Sequence, residues 1–384
     1  MLTQGAQPPA TTSPETTPSQ DAERKVRIVR VSPAGAATLA GAAVGALGLL
    51  WLVYERMLPF TGVLGFWVCW YVAFLLFYAA MAGLQWDRRD VVNKVVTVGL
   101  ATGGILVILV VFGTDLYTLV RGAPSVFNVS FFTQSLAFAD SQTPLYIGGV
   151  AHAAVGTLEQ ITIATLLSVP LAVATAVFLA EVGGAMARPV RIIVEAMTAL
   201  PDIIAGLFVY ALFILTLGMQ KSGLAASLAL AVTMMPIIAR ASEVVLRLVP
   251  GTLREASLAL GSSQWRTAWN VVLPTARSGL ATAIVLGMAR GIGETAPVLI
   301  VSGVTREFNF NPVSGPQVSL PLFIWTYAHV EGVGNYIARG FGAGVALVII
   351  VLLLFTLARK LGGTAPGQLT KRQRRQLARQ GARV

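Results

Sequence analysis

Long apolar runs alternate with short polar stretches dotted with arginine, and the length of the runs settles the fold class. A helix crossing a hydrocarbon core needs roughly 20 consecutive, mostly apolar residues. Runs of that size fall at 34–53, 60–84, 95–116, 150–179, 191–217, 222–240, 279–303 and 340–358. The pattern therefore predicts an all-α polytopic membrane protein with about eight transmembrane helices. The first run does not read as a cleaved leader, because it follows a 23-residue polar segment and lacks a short apolar core ending in small residues. Residues 1–23 are rich in Thr, Pro, Ser and Gln and cannot bury enough apolar surface to order themselves.

Composition agrees. Apolar residues make up 55% of the chain and charged ones 12%, about half the usual share of a soluble domain, and the mean hydropathy is +0.73. The few charges are informative through their position, since Lys and Arg are retained on the cytoplasmic side. With the N-terminus inside, 22 of the 28 basic residues fall in inner segments; Arg56, Arg121, Lys221, Arg306 and Arg339 fall outside, and Arg290 lies within a run. Both termini are thus expected in the cytoplasm, as basic tails at 1–33 and 361–384. The net charge of +11 follows from this topology, and the tail "KRQRRQLARQGAR" can meet anionic lipid heads; no nucleic-acid partner is implied. A single cysteine, Cys69, allows neither a disulfide framework nor a thiolate metal site. His152 and His329 stand far apart and read as interfacial polar side chains, with no metal centre or catalytic triad.

One polar interruption has more structure than a loop needs. Just before "REASLALGSSQWRTAWNVVLPTA", Pro250 and Gly251 stop the preceding element and Thr252 can cap a new helix, and Glu255 within it completes the capping-box pattern. That helix should end at Gly261 in a left-handed conformation. A second piece, "SQWRTAWNVV", should end before Leu273-Pro274. The pair, with a small apolar face of Ala256, Ala259 and Leu260, is too short to stand without a partner surface.

The residues Glu255-Ala256-Ser257, then Gly261, then Val271-x-Leu273-Pro274, resemble the EAA motif of ABC-importer permeases, with Ser257 and Val271 as mild departures. The resemblance implies that 252–274 are cytoplasmic coupling helices docking on a separate ATPase subunit. No G-x-x-x-x-G-K-[ST] phosphate loop occurs, so ATP and Mg belong to that partner and no cofactor is expected on this chain.

The seventh run contains "GMARGIGETAPVLIVSG". Arg290 and Glu294, four residues apart, fall on one face of a continuous helix. An arginine at a helix centre costs about 2.5–3.5 kcal/mol to insert, so an intramembrane ion pair points to function by default; a pair that merely locks two helices is the structural alternative. "R-x-x-G-E-T-A-P" together with "MMPIIARASEVVLRLVPGTLREASLALGSSQW" resembles the phosphate ABC-importer permeases, in their PstA-type form more than the paired PstC-type. The resemblance implies a six-helix, MetI-like permease core over 95–360, preceded by two extra helices at 34–94. It also implies that Arg240, Arg290 and Glu294 contribute to the anion pathway. Guanidinium groups grip oxyanions through paired hydrogen bonds, and a nearby carboxylate prevents too tight a complex.

The implied partners are a homologous permease subunit, an ATPase dimer, an extracytoplasmic phosphate-binding protein, inorganic phosphate and membrane lipids, at the inner membrane of a prokaryote. Asp202, after Pro201, departs from the small residue expected there; it faces away, pairs with an arginine, or counts against the assignment. Pro170, Pro201 and Pro236 should kink their helices. Glu159 and Glu181 read as interfacial, and Glu243–Arg247 as a solvated i, i+4 pair. The stretch 302–332 suits either a surface facing a binding protein or an ordinary loop with an aromatic belt. Other readings are import of another oxyanion such as molybdate or sulfate, and a non-transporting scaffold or sensor that recruits an ATPase, which leaves Arg290 and Glu294 unexplained. No His, Cys or Ser cluster supports an enzyme.

Overall fold

The computed structural model describes residues 33–57, 62–328 and 334–362. His329 and all but the inner edges of the two expected tails lie outside these residues. Among the described residues every regular element is a helix, seven helical stretches are long and apolar enough to span a membrane, and a bent pair makes an eighth.

The chain divides into two compact units, Met1–Val111 and Phe112–Val384. In the first, α1 (Pro33–Leu52) and α2 (Val63–Gly83) form an antiparallel hairpin. Gly41 and Gly45 face Met81 and Phe77, so the two helices approach closely. The Trp70 indole N–H donates to the Ala43 carbonyl at 3.2 Å, and the Trp70, Phe74 and Tyr78 rings stack in sequence along α2. Helix α3 (Arg88–Val126) begins in this unit and is 39 residues long, far more than the minimum needed to span.

The second unit contains α4 (Val129–Thr133), α5 (Ala151–Val177), α6 (Ala187–Ala199), α7 (Asp202–Val209), α8 (Gly223–Arg247), α9 (Gly251–Ala259), α10 (Gln264–Thr267), α11 (Leu273–Gly293), α12 (Ala296–Val301), α13 (Leu320–Tyr327) and α14 (Tyr336–Gly362). Its core is α5 packed on α8, with α11 laid against α8. Small residues make this possible: Ala225, Ala226, Ala229 and Ala239 of α8 are fully buried, and Gly287 and Gly291 of α11 sit directly on Ile238 and Met234.

Two of the expected spans are broken. The run 191–217 is not one helix: it is α6 and then α7 with a π-helical extension to Thr216, bent by 103° at Leu200-Pro201. Leu200, held extended before a proline as such residues generally are, ends α6. The run 279–303 also divides, because α11 stops at Gly293 and α12 starts at Ala296. Helices α5 and α8, by contrast, continue through Pro170 and Pro236. The breaks at Pro201 and at Glu294-Thr295 place α7 against α12.

The projecting hairpin differs in two details from its sequence reading. Helix α9 begins at Gly251 after Pro250, and neither Thr252 nor Glu255 forms a capping box. The second piece does not stop at Leu273-Pro274: helix runs from Gln264 to Gly293, through a π-helical turn at Ala268–Val272. Pro274 is tolerated because it sits in the first turn of α11, where its missing N–H removes no helical bond that the preceding π turn does not already displace. Gly261 does end α9 with φ of 82°, a region open to glycine at little cost.

Candidate functional site

The two helix breaks converge on one arginine. Arg290, in the last turn of α11, extends its guanidinium to Asp202, the first residue of α7, and its Nε lies 3.3 Å from Glu294. Glu294 is reached differently from the sequence reading. It is not on the helix but just beyond its end, in extended backbone, and it turns back on Arg290. Of the alternatives open for Asp202, the structure selects pairing with an arginine. One cation thus stands between two carboxylates. Glu294 is 15% exposed and Arg290 48%, so the cation faces open space while one of its partners is enclosed.

That space is a cavity of about 280 Å³ whose wall includes Met197, Pro201, Asp202, Thr233, Pro236 and Arg290. Its lining is apolar apart from the arginine, its aspartate partner and two threonines. An anion entering it would meet one strong donor and have to displace a carboxylate to use it. Arg240, four residues after Pro236 on α8, is half-exposed, and its guanidinium lies 3.6 Å from Glu195 of α6. The structure therefore brings Arg290 and Glu294 together, adds Asp202, and gives Arg240 a separate acidic partner.

The second region is the projecting hairpin. Glu255, Ala256 and Gly261 are exposed, Ser257 is half-buried, and its hydroxyl lies 2.9 Å from that of Thr267, tying the two arms together. Leu273 is half-buried and Pro274 exposed where the hairpin returns to α11. Leu253, Leu258, Leu260, Trp265 and Trp269 form the exposed apolar surface, with the two indoles stacked at 6.0 Å.

Arg254 fixes this hairpin to the rest of the chain, a role the sequence reading missed. Its Nε and Nη2 donate to Glu181 at 2.8–3.1 Å, Nη1 donates to the Val249 carbonyl at 2.6 Å, and Nη2 also reaches the Leu246 carbonyl at 2.7 Å. Glu181, read from the sequence as interfacial, thus anchors the hairpin. Glu243 is likewise no solvated residue: it is 13% exposed and accepts from both Arg191 and Arg247, tying α6 to α8.

His152 and Glu159, read as interfacial, and Arg339, counted only among the outer basic residues, each have closer surroundings than those readings gave them. The His152 ring is buried edge-on between Phe308 and Phe323 with neither nitrogen bonded, because the 302–319 loop folds over the start of α5. Glu159 accepts from Gln317 of that loop. Arg339 is fully buried in α14 and donates to the carbonyls of Asp140, Thr143, Pro144 and Ile147 at 2.9–3.1 Å. Only the position of Arg339, a charge near the start of a helix whose other basic residues, Arg359 and Lys360, lie in its last turn, could have signalled this.

Two broken helices thus surround a cation, and a helical hairpin is tied to the rest of the chain through Arg254 and Glu181, in a chain with seven to eight apolar spans. Residues 168–361 match the family described as binding-protein-dependent transport system inner membrane component, and the chain belongs to that family. It is 40% identical over 266 residues to the phosphate transport system permease protein PstA 1 of Mycobacterium tuberculosis, covering 69% of this chain and 86% of that one. It is 32% identical over 277 residues to the phosphate transport system permease protein PstA of Haemophilus influenzae, covering 71% and 95%. Among solved structures, the inward-facing MetNI methionine ABC transporter matches 56% of this chain and 93% of its own, at 22% identity and a TM-score of 0.44.

Proposed function

We propose that this chain is a PstA-type permease subunit of an ATP-driven inorganic phosphate importer, lining half of the translocation pathway. The observation that carries this reading is Arg290, a cation at the junction of two broken helices, facing a cavity and balanced by two carboxylates. The names of the similar proteins supply the solute.

Phosphate carries between one and two negative charges near neutral pH, and leaves water only where fixed donors and positive charge replace its hydration. Arg290 supplies both. Asp202 and Glu294 compete for the same guanidinium, so the bound anion is not trapped, and they neutralise the arginine between transport events. A homologous permease completes the pathway, and an extracytoplasmic phosphate-binding protein delivers the anion. An ATPase dimer, which holds ATP and Mg, docks on the exposed Leu and Trp surface of 252–274. Movement there reaches the spans through Arg254–Glu181 and the unbroken helix from Gln264 to Arg290. The protein resides in the inner membrane with both termini in the cytoplasm.

The test is phosphate uptake by the reconstituted complex. Arg290→Gln should retain its partner subunits and lose uptake at least about tenfold, as expected when a charge-assisted hydrogen bond is removed; Arg290→Lys should recover only part, since a point charge lacks the two-pronged geometry. Restored uptake in the double variant Arg290→Gln with Glu294→Gln would show that the pair is purely structural and overturn the pathway role.

A further inference from the structure

Behind Glu294, on α5 and at the start of α13, lies a second and much smaller cavity. It has room for the centre of about one water molecule, about 10 Å³, and its wall includes Glu294, Gln160, Ser319 and Thr157 among apolar neighbours. Gln160 and Ser319 are 1% and 4% exposed, and each presents an atom with no hydrogen-bond partner: the Gln160 Oε1 and the Ser319 hydroxyl. Thr157 is already satisfied, donating to the Ala153 carbonyl and accepting the Leu320 N–H. Leaving buried polar atoms unpaired costs about 1–3 kcal/mol each. Both residues line one cavity of the right size, and their unpaired groups are complementary in hydrogen-bonding capacity to a single molecule.

We propose that this cavity is a binding site for one structural water, which accepts from Ser319 and donates to Gln160 Oε1 and to the carboxylate of Glu294. Its two protons meet two acceptors, and one of its two lone pairs meets the single donor. The water makes Gln160 and Ser319 positioning residues, holding Glu294 at the distance where it engages Arg290.

The site also links Arg290 to the 302–319 loop. Gln160 Nε2 donates to the Gln317 carbonyl at 3.0 Å, and the Gln317 amide donates to Glu159 and to the Asn309 carbonyl. The Ser302 hydroxyl, at the end of α12, also donates to the Gln317 carbonyl. A shift of this loop therefore reaches Glu294 through Gln317, Gln160 and the water. Under the orientation proposed above, this loop is on the external face, where a delivering protein acts; only this last connection, and the uptake readout below, rest on the phosphate reading.

The experiment is a cryo-EM map of the intact complex at a resolution that shows ordered water, together with uptake kinetics. The expected result is water density in contact with Gln160, Ser319 and Glu294. In Ser319→Ala that density should be lost and Glu294 should turn from Arg290, whereas Ser319→Thr, which keeps the hydroxyl, should retain both. In transport, Ser319→Ala should change the KM for phosphate about tenfold, the equivalent of one hydrogen bond to a charged group, and the change should vanish in a Glu294→Gln background. An empty cavity in the wild-type map, or an equal Ser319→Ala effect in both backgrounds, would overturn the proposal. Water present in a complex that moves no phosphate would instead count against the phosphate reading alone.

Discussion

On the proposed pathway, Asp202, paired with Arg290, would set how tightly that arginine holds an anion. Replacing it with asparagine keeps the shape and one acceptor but removes the competing charge, so Asp202→Asn should lower the KM for phosphate several-fold while slowing turnover, because release now lacks its competitor. Steady-state uptake and single-turnover release separate the two effects. A rise in KM would mean that the aspartate serves only to orient the guanidinium. Arg290 and Glu294 were legible in the sequence because charges are conspicuous in an apolar run. Asp202 was conspicuous too, but its partner lies 88 residues away, and only the bend at Pro201 brings the two together. Gln160 and Ser319 could not be singled out at all, since uncharged polar residues are common in helices and their lack of partners is a property of packing.

Helix breaks and helix contacts make the next level testable. Gly206 of α7 lies so close to Pro297 of α12 that a Cβ there would be 2.7 Å from the proline Cα and carbonyl oxygen. Gly206→Ala should force the two elements apart, at about 1–3 kcal/mol as for other overpacked contacts, and pull Asp202 from Arg290; lower thermal stability of the purified complex together with reduced uptake would register it. In the hairpin, Arg254→Met should leave Glu181 without its cation and cost about 2–3 kcal/mol, less than a fully buried pair because Arg254 is 23% exposed. ATP hydrolysis should then continue with poorer coupling to uptake, and Glu181→Gln should have little further effect in the Arg254→Met background. The sequence marked the hairpin and its Gly261 stop correctly, since both depend on local chemistry. It erred at Thr252 and at Leu273-Pro274, where proline entry and a π turn set the boundaries, and it placed single helices over 191–217 and 279–303 because hydropathy measures length and not direction.

For the molecule as a whole, the number of spans was written in the lengths of the apolar runs, while the side of the membrane each loop occupies rests on the basic residues. Labelling checks it directly: a cysteine replacing Ser314 should react with an impermeant reagent from outside, and one replacing Ser263 only after permeabilisation; the reverse pattern would invert the orientation. Arg339 sets a different kind of constraint. The carbonyls it holds belong to residues 140–147, while the arginine itself arrives nearly 200 residues later on the last span. The same stretch also bonds Asn335, from the start of that helix region. Bonds within the segment, such as those of Thr143 and Gln142 to Asp140, can form earlier, but during synthesis its ties to Asn335 and Arg339 must wait for the final helix. A chain truncated before the last span should therefore leave the carbonyls of Asp140, Thr143, Pro144 and Ile147 without these donors.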